Sequence, residues 1–274
     1  MTADVELAER AARRAGEVLL AYFGRPPEGL DSKSSRTDPV SDADREAERA
    51  IRELLSAERP DDGLLAEEGS RTEARNGRCW IVDPLDGTVN FLYGFPVWAV
   101  SVALEDEDGL AVGVVHDPGR GETFRAARGA GAELDGRPLR VGNRSELRAA
   151  LVATGFSYDR ERRAAQAEMV ARLLPRVRDI RRAGAAALDL AWLAAGRVDG
   201  FLEHGLKSWD WAAGRLLVEE AGGVVEPLPG DPPGLAAAGT PELLGALVEH
   251  AGALRAPLAR SASRAGGCGE LGSL

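Results

Sequence analysis

Lysine, cysteine and histidine are all scarce in this chain of 274 residues. Its two cysteines, Cys79 beside an apolar stretch and Cys268 in a Gly-rich tail, make no framework of the kind that staples small secreted domains, and they fit a reducing cytoplasm. The three histidines, His116, His204 and His250, fall at spacings that demand no metal, so packing or surface roles are expected of them. No apolar run reaches the roughly 18 residues needed to cross a bilayer, and Met1 to Glu9 is too acidic for a signal peptide. A soluble cytoplasmic protein without membrane contact is expected. Internal repeats are missing too, as is any D-x-[DN]-x-[DN]-G calcium loop.

The charge present leans acidic, with 44 Asp+Glu against 34 Lys+Arg and a net charge of −10. An acidic excess spread along the chain argues against a surface built to neutralise nucleic-acid phosphates and makes metal cations natural partners. Lys33 and Lys207 are the only lysines. Against so strong an arginine bias, each marks a candidate place where a compact ammonium is not interchangeable with a planar guanidinium.

Leu7, Ala11, Val18 and Tyr22 share helical spacing between Ala3 and Phe23, with Gly24 and Pro26-Pro27 as the stop. Ser41-Asp42-Ala43-Asp44 has the form of a capping box and opens a second helix through Ile51, Leu54 and Leu55. Leu64 to Glu67, Trp80 to Pro84, Val97 to Leu104 and Ala111 to His116 read as strands, the last two joined by the polar turn Asp106 to Gly109. Helices on a largely antiparallel sheet are therefore expected first. After residue 150 the pattern changes to an α/β alternation. Strands are expected at Leu151 to Thr154, Val198 to Leu202, Val224-Val225 and Leu235 to Ala238, and helices at Arg162 to Leu174, Ala185 to Ala195, Asp210 to Ala221 and Pro241 to His250. Gly222-Gly223 supplies a left-handed stop to the third of these helices. The expected division is 1–145 for an N-terminal α+β half, 146–258 for a C-terminal α/β half and 259–274 for a disordered tail.

The strongest chemical signal is Trp80-Ile81-Val82-Asp83-Pro84-Leu85-Asp86-Gly87-Thr88. An apolar strand runs into two carboxylates three residues apart, with Pro84 interrupting the ladder and Gly87 permitting a sharp turn. Such a pair either caps the following helix or presents oxygen ligands to a cation. Glu67-Glu68 ends another apolar strand, where the two acids repel each other unless solvent or a cation intervenes. Asp44 and Asp210 each stand near the start of a helix, where ordinary capping competes with ligation. Carboxylates at the ends of several elements, without matched Cys or His, suit Mg²⁺ or Mn²⁺ rather than Zn²⁺. Backbone N–H groups at Gly87 and Thr88 are placed to receive phosphate oxygens. Metal-assisted phosphate hydrolysis is the implied reaction class.

These blocks, taken in order, resemble the inositol monophosphatases of the lithium-sensitive, Mg-dependent phosphatase superfamily. The resemblance runs from about Val5 to His250. It rests on Lys33-Ser34-Ser35 through Asp38-Pro39-Val40 to Asp44, then Glu67-Glu68, Trp80 to Phe91, Gly184 to Leu190, Glu203 to Asp210, and Glu220-Ala221-Gly222-Gly223. Gly87 to Gly94 looks especially like the actinobacterial members. The resemblance implies a layered αβαβα sandwich of the inositol monophosphatase / fructose-1,6-bisphosphatase type, two to three Mg²⁺ ions (Mn²⁺ also fitting), a small phosphate ester as substrate and a homodimer. Carried over, Glu67, Asp83 and the Leu85 carbonyl match one metal site, and Asp83, Asp86 and Asp210 a second. Glu67, Thr88 and Asp44 match the groups that orient and deprotonate the attacking water. Gly87 and Thr88 match the phosphate contacts, while Ala186 and Glu203 match contacts to the alcohol, with Asp86 and Asp210 lining the same substrate site.

Two departures bear on selectivity: Val89 stands where a second Thr is common after the D-G-T triplet, and Ala185 where Ser or Thr is usual. Lys207 falls in a loop where the family varies, either lining the mouth or simply exposed. Val89-Asn90-Phe91 in place of a D-G-T-K continuation favours inositol phosphate over histidinol phosphate or adenosine nucleotides. Histidinol-phosphate and fructose-1,6-bisphosphate phosphatases remain the alternatives, with a non-catalytic regulatory or RNA-associated protein of the same fold behind them.

Overall fold

The computed structural model describes residues 3–25, 31–32 and 39–251. Lys33, Asp38 and the tail expected at 259–274 lie outside these residues. Helix α1 (Ala3–Tyr22) buries Leu7, Ala11, Ala15 and Leu19 along one stripe. Val18, expected on that stripe, is only half-buried, and Leu19 holds the core position instead. Strands β1 (Asp31–Ser32) and β2 (Pro39–Val40) form a short antiparallel ribbon. Helix α2 (Asp42–Glu58) begins at the anticipated cap: the Ser41 backbone N–H and Oγ donate to Asp44 Oδ2 at 2.9 and 2.6 Å. One face of α2 sends Ala43, Ala47, Ile51 and Leu55 into the core beside α1.

The first sheet contains β3 (Gly63–Ala66), β4 (Arg71–Thr72), β5 (Cys79–Asp86), β6 (Ala99–Asp106), β7 (Gly109–Asp117), β8 (Glu122–Ala127), β9 (Gly131–Leu134) and β10 (Arg137–Pro138), in the order β10-β9-β8-β7-β6-β5-β3-β4. Helix α3 (Thr88–Leu92) follows β5 directly. Every neighbouring pair is antiparallel except β3 with β5. Pairing of β5 with β6 jumps from Asp83↔Ser101 to Asp86↔Ala99, so β5 carries one extra residue there. Pro84 has no N–H for the ladder, and the bulge falls at this residue. The jump leaves both acids on a buried strand yet turned toward its open end.

The second sheet takes β11 (Leu151–Thr154), β12 (Asp179–Arg181), β13 (Gly200–His204), β14 (Val224–Leu228) and β15 (Gly234–Ala238), in the order β12-β11-β13-β15-β14. Its helices are α4 (Arg160–Leu173), α5 (Ala186–Ala194), α6 (Ser208–Glu220) and α7 (Pro241–Ala251). Strand β11 is parallel to β12 and β13, whereas β15 runs antiparallel to β13 and β14. Helices α5 and α6 lie between the two sheets in one apolar cluster that includes Ile81 and Phe124 from the first and Phe201 and Ala237 from the second. With α1 and α2 outside the first sheet and α4 and α7 outside the second, the layers alternate αβαβα. Leu190 and Leu217 are wholly buried in the middle layer, and each such leucine stabilises the fold by about 1.5–3 kcal/mol.

Strands β1, β2, β4, β8 to β10 and β12 went unread in the sequence. β12 is an edge strand of three half-exposed or exposed residues with no apolar alternation, and β9 and β10 are short pieces separated by Gly136. Asp210 is the third residue of α6 rather than its first, since the helix begins at Ser208. Gly222, at φ 87°, ends α6 in the left-handed region as expected.

Candidate active site

The bulge on β5 positions the floor of the site. Asp83 Oδ1 accepts the Leu85 N–H at 2.9 Å, a local turn that points the Leu85 carbonyl and the next acid outward. Asp86 accepts from the Ala186 and Ala187 N–H groups at 3.2 and 2.8 Å, which joins the first sheet to the start of α5. Asp83, Leu85 and Asp86 line a cleft of about 470 Å³ together with Glu67, Asp210 and Glu203. Gly87, Thr88 and Ala186 also face it. Of the metal-ligand, water-activating and substrate-contact candidates, Asp44 alone does not line the cleft and is completely buried behind it.

Thr88 connects Asp44 to the cleft. Its Oγ1 lies 3.2 Å from Asp44 Oδ1 and 3.1 Å from the Leu85 carbonyl oxygen, so one proton has two acceptors and the oxygen keeps lone pairs toward the cavity. Gly87, at φ 92°, makes this turn possible. A Cβ there would sit 3.0 Å from the Val97 carbonyl oxygen and 3.3 Å from Ala185 Cβ. Asn90 donates to the Val97 and Ala183 carbonyls at 2.7 and 2.8 Å and so ties α3 to the segment that leads into α5.

Crowded acids raise one another. Burial pushes Asp86 up to about 7, with the charge of Glu67 adding to it while the Ala187 and Ala186 amides oppose it. Burial and then Asp86 push Glu203 up to about 8, which Arg182 partly offsets. Asp210 is held well above the usual carboxylate range by burial and by Glu67, although it accepts the Lys207 N–H at 2.6 Å. Asp210 thus performs the helix-capping role and lines the cleft as well. Among the described residues no three acidic, histidine or cysteine side chains close into a metal cage. The donor set is nonetheless that of a hard divalent cation: oxygen only, several carboxylates from different elements, one backbone carbonyl, and mutual repulsion that a cation relieves.

Several participants were invisible to sequence reading. Glu48 accepts the Glu68 and Ser70 N–H groups at 2.7 and 2.9 Å and fixes the turn that presents Glu67. Asp189 is buried within the apolar face of α5, with Oδ1 lacking any protein partner, and burial followed by Glu203 and Asp86 raises it well above the usual range. Its signal was an acid inside Ala-Ala-Leu-Asp-Leu. Arg182 and the segment Gly155 to Asp159 line the mouth beside the exposed Lys207. His204, largely buried, also lines the cleft, whereas His116 packs elsewhere with its Nδ1 3.0 Å from Thr123 Oγ1.

An alternating αβαβα sandwich with an acid-floored cleft where its two sheets meet defines a class of fold, and the sequence model of one family in it matches residues 2–263. The chain belongs to the inositol monophosphatase family. It is 46% identical over 222 residues to the Nus factor SuhB of Xylella fastidiosa, covering 81% of this chain and 80% of that protein. Among solved structures, the extragenic suppressor protein suhB from Bartonella henselae superposes with a TM-score of 0.85 at 37% identity, covering 92% of this chain and 99% of the other. An inositol monophosphatase from Anabaena gives a TM-score of 0.78 at 35% identity, covering 90% and 94% of the two chains.

Proposed function

We propose that the protein is a Mg²⁺-dependent phosphomonoesterase that hydrolyses inositol 1-phosphate and related myo-inositol monophosphates to inositol and phosphate. The observation that carries this reading is the convergence of Glu67, Asp83, Asp86 and Asp210 on one cleft whose wall holds the Thr88–Asp44 pair. Glu67, Asp83 and the Leu85 carbonyl would hold one ion, and Asp83, Asp86 and Asp210 a second, with Glu67 also reaching a third, looser one. Held by these residues, Mg²⁺ would supply the positive charge that polarises the phosphate, acidifies a water and steadies the departing oxygen, and Mn²⁺ would suit the same donors. Thr88 Oγ1 accepts a proton of the attacking water while its own proton points to Asp44, and Glu67 helps to orient that water. The new P–O bond forms in line as the ester P–O bond breaks, and the leaving alkoxide takes a proton from solvent water, which balances the proton released by the attacking water. The Gly87 and Thr88 backbone contacts the phosphate. Ala186 is small enough to admit the inositol ring, and Glu203 accepts hydroxyl hydrogen bonds.

On the pattern of the family, we place the protein in the cytoplasm as a lithium-sensitive homodimer. No helix among the described residues is long and apolar enough to cross a membrane. A second reading, a non-catalytic role in an assembly, is favoured by the name Nus factor carried by the curated relatives. Phosphate release from inositol 1-phosphate, histidinol phosphate, fructose 1,6-bisphosphate and 3′-phosphoadenosine 5′-phosphate, with and without Mg²⁺, separates the readings. The expected result is Mg²⁺-dependent turnover fastest on inositol 1-phosphate. Turnover undiminished after exhaustive chelation contradicts the mechanism, and no turnover on any ester leaves the non-catalytic reading.

A further inference from the structure

The acids of the floor are engaged by backbone amides, but one wall of the cleft carries two charged groups that make no hydrogen bond or ion pair among the described residues. Among the described residues, neither Glu203 carboxylate oxygen receives a hydrogen bond, and no carboxylate lies within ion-pairing distance of Arg182. Both line the same cavity. Each is accommodated by a missing side chain: a Cβ on Gly155 would collide with the Glu203 carboxylate, and one on Gly184 would collide with Arg182 Nη1. The Arg182 guanidinium also lies 5.9 Å from the ring centre of Phe156, the residue next to Gly155, so the two groups sit against neighbouring points of one loop. Other cations at the mouth are differently disposed. Arg162 Nη2 donates to the Asp231 carbonyl at 2.7 Å, and Lys207, exposed like Arg182, stands at the cap of α6 with its backbone N–H given to Asp210.

We propose that Arg182 is a specificity-determining residue that works with Glu203 to read two neighbouring hydroxyls on the alcohol half of the substrate, so that the site selects polyol monophosphates over plain alkyl and aryl phosphates. The chemistry of the two groups points to this class, and the inference rests on the phosphatase reading above. A carboxylate only accepts and a guanidinium only donates, whereas a hydroxyl does both. A diol therefore satisfies Glu203 with one O–H and Arg182 with a neighbouring oxygen. A second phosphate would suit Arg182 but meets the repulsion of Glu203. An alkyl ring satisfies neither: it covers the half-buried Glu203 carboxylate without giving it a donor, and it offers the exposed Arg182 guanidinium nothing to bond. The proximity of Arg182 also favours the charged form of Glu203, the form that accepts from hydroxyls.

The test compares the intact protein with Arg182→Met and Arg182→Lys on three Mg²⁺-supported substrates: inositol 1-phosphate, cyclohexyl phosphate, which is the same ring without hydroxyls, and phenyl phosphate. Arg182→Met keeps an unbranched stem against Phe156, and a melting temperature close to that of the parent shows that it folds. The ratio of kcat/KM on inositol 1-phosphate to that on cyclohexyl phosphate is expected to fall about tenfold to a hundredfold in Arg182→Met. Arg182→Lys should fall between, because a point ammonium keeps the charge without the planar fork. An equal loss on all three esters overturns the proposal and leaves the phosphatase reading standing, since Arg182 would then serve the reacting phosphate. An unchanged ratio overturns it as well. A parent protein that hydrolyses none of the three removes the phosphatase reading and this inference with it.

Discussion

The floor and the wall of the cleft are built differently, although both are lined by charged side chains. On the floor the acids are tied to the chain: Asp83 to the Leu85 amide, Asp86 to two amides of α5, Asp210 to the Lys207 amide, and Asp44 behind them to Ser41 and Thr88. On the wall, Glu203 and Arg182 rest over glycines and make no hydrogen bond or ion pair among the described residues, Arg182 lying against the Phe156 ring. A preorganised floor suits one invariant reaction, because groups fixed before the substrate arrives need no reorganisation during the step. Unengaged donors and acceptors suit selection, because their pairing is completed only by the right alcohol.

The largest effect should come from the floor. Asp86→Asn replaces an acceptor-only group with one whose NH₂ faces the Ala186 and Ala187 N–H donors, and it removes a proposed metal ligand. Activity should drop by about a thousandfold or more on every ester alike. A loss confined to polyol esters, in steady-state kinetics on inositol 1-phosphate and phenyl phosphate, would erase the distinction between floor and wall. Next comes Glu203→Gln, which should cost on the order of 1–3 kcal/mol on the best ester and less on phenyl phosphate. A uniform loss would place Glu203 with the floor.

Gly87→Ala probes the turn that joins the two regions. A left-handed residue costs about 1–2 kcal/mol on gaining a Cβ, and this Cβ would press on Val97 and Ala185. A stability loss of about 1–3 kcal/mol is expected, read as a lower melting temperature in chelator. No change would mean that the turn relaxes freely.

The smallest effect is a slope with pH. Asp86 and Glu203, raised to about 7 and about 8, bind protons in the folded state that the unfolded chain has already released. Their contribution is fully present below the unfolded values near pH 4 and is lost as pH rises through about 7 to 8. Melting temperatures in chelator should therefore decline across that window, and Mg²⁺ should flatten the decline. A rising curve would show that the acids do not crowd one another. At the opposite end of the chain the sign reverses. Burial raises Asp4, but hydrogen bonds from Arg78 and Arg59 outweigh it and leave the group lowered, so its contribution disappears only in acid.

Legibility in the sequence followed the same division. Ser41 to Asp44 announced a cap, and Trp80 to Thr88 announced a strand running into two acids, because short-range chemistry writes those signals into adjacent residues. The wall is written in pieces that the chain brings together late: Gly155 after β11, Arg182 after β12, Glu203 on β13. Arg182 was also hidden by composition. In a chain with only two lysines, one more arginine carries no signal, and attention to Lys207 found the mouth but not the group beside Glu203. Glu48 was missed because an acid on the second helix says nothing of the turn it will hold.

The central claim is that the floor is a cation site held together at a cost in repulsion, and Asp83 tests it most directly. Asp83→Asn keeps an oxygen to accept the Leu85 N–H, so the turn survives while one negative charge and one ligand shared by both proposed ions are lost. The measurement is the melting temperature of parent and mutant in chelator and across a Mg²⁺ titration. The mutant should melt at or above the parent in chelator, and the parent should gain clearly more from Mg²⁺, because a ligand stabilises only the state that binds it. A mutant that melts well below the parent in chelator would make Asp83 a structural turn residue, and equal gains from Mg²⁺ would place the cation elsewhere.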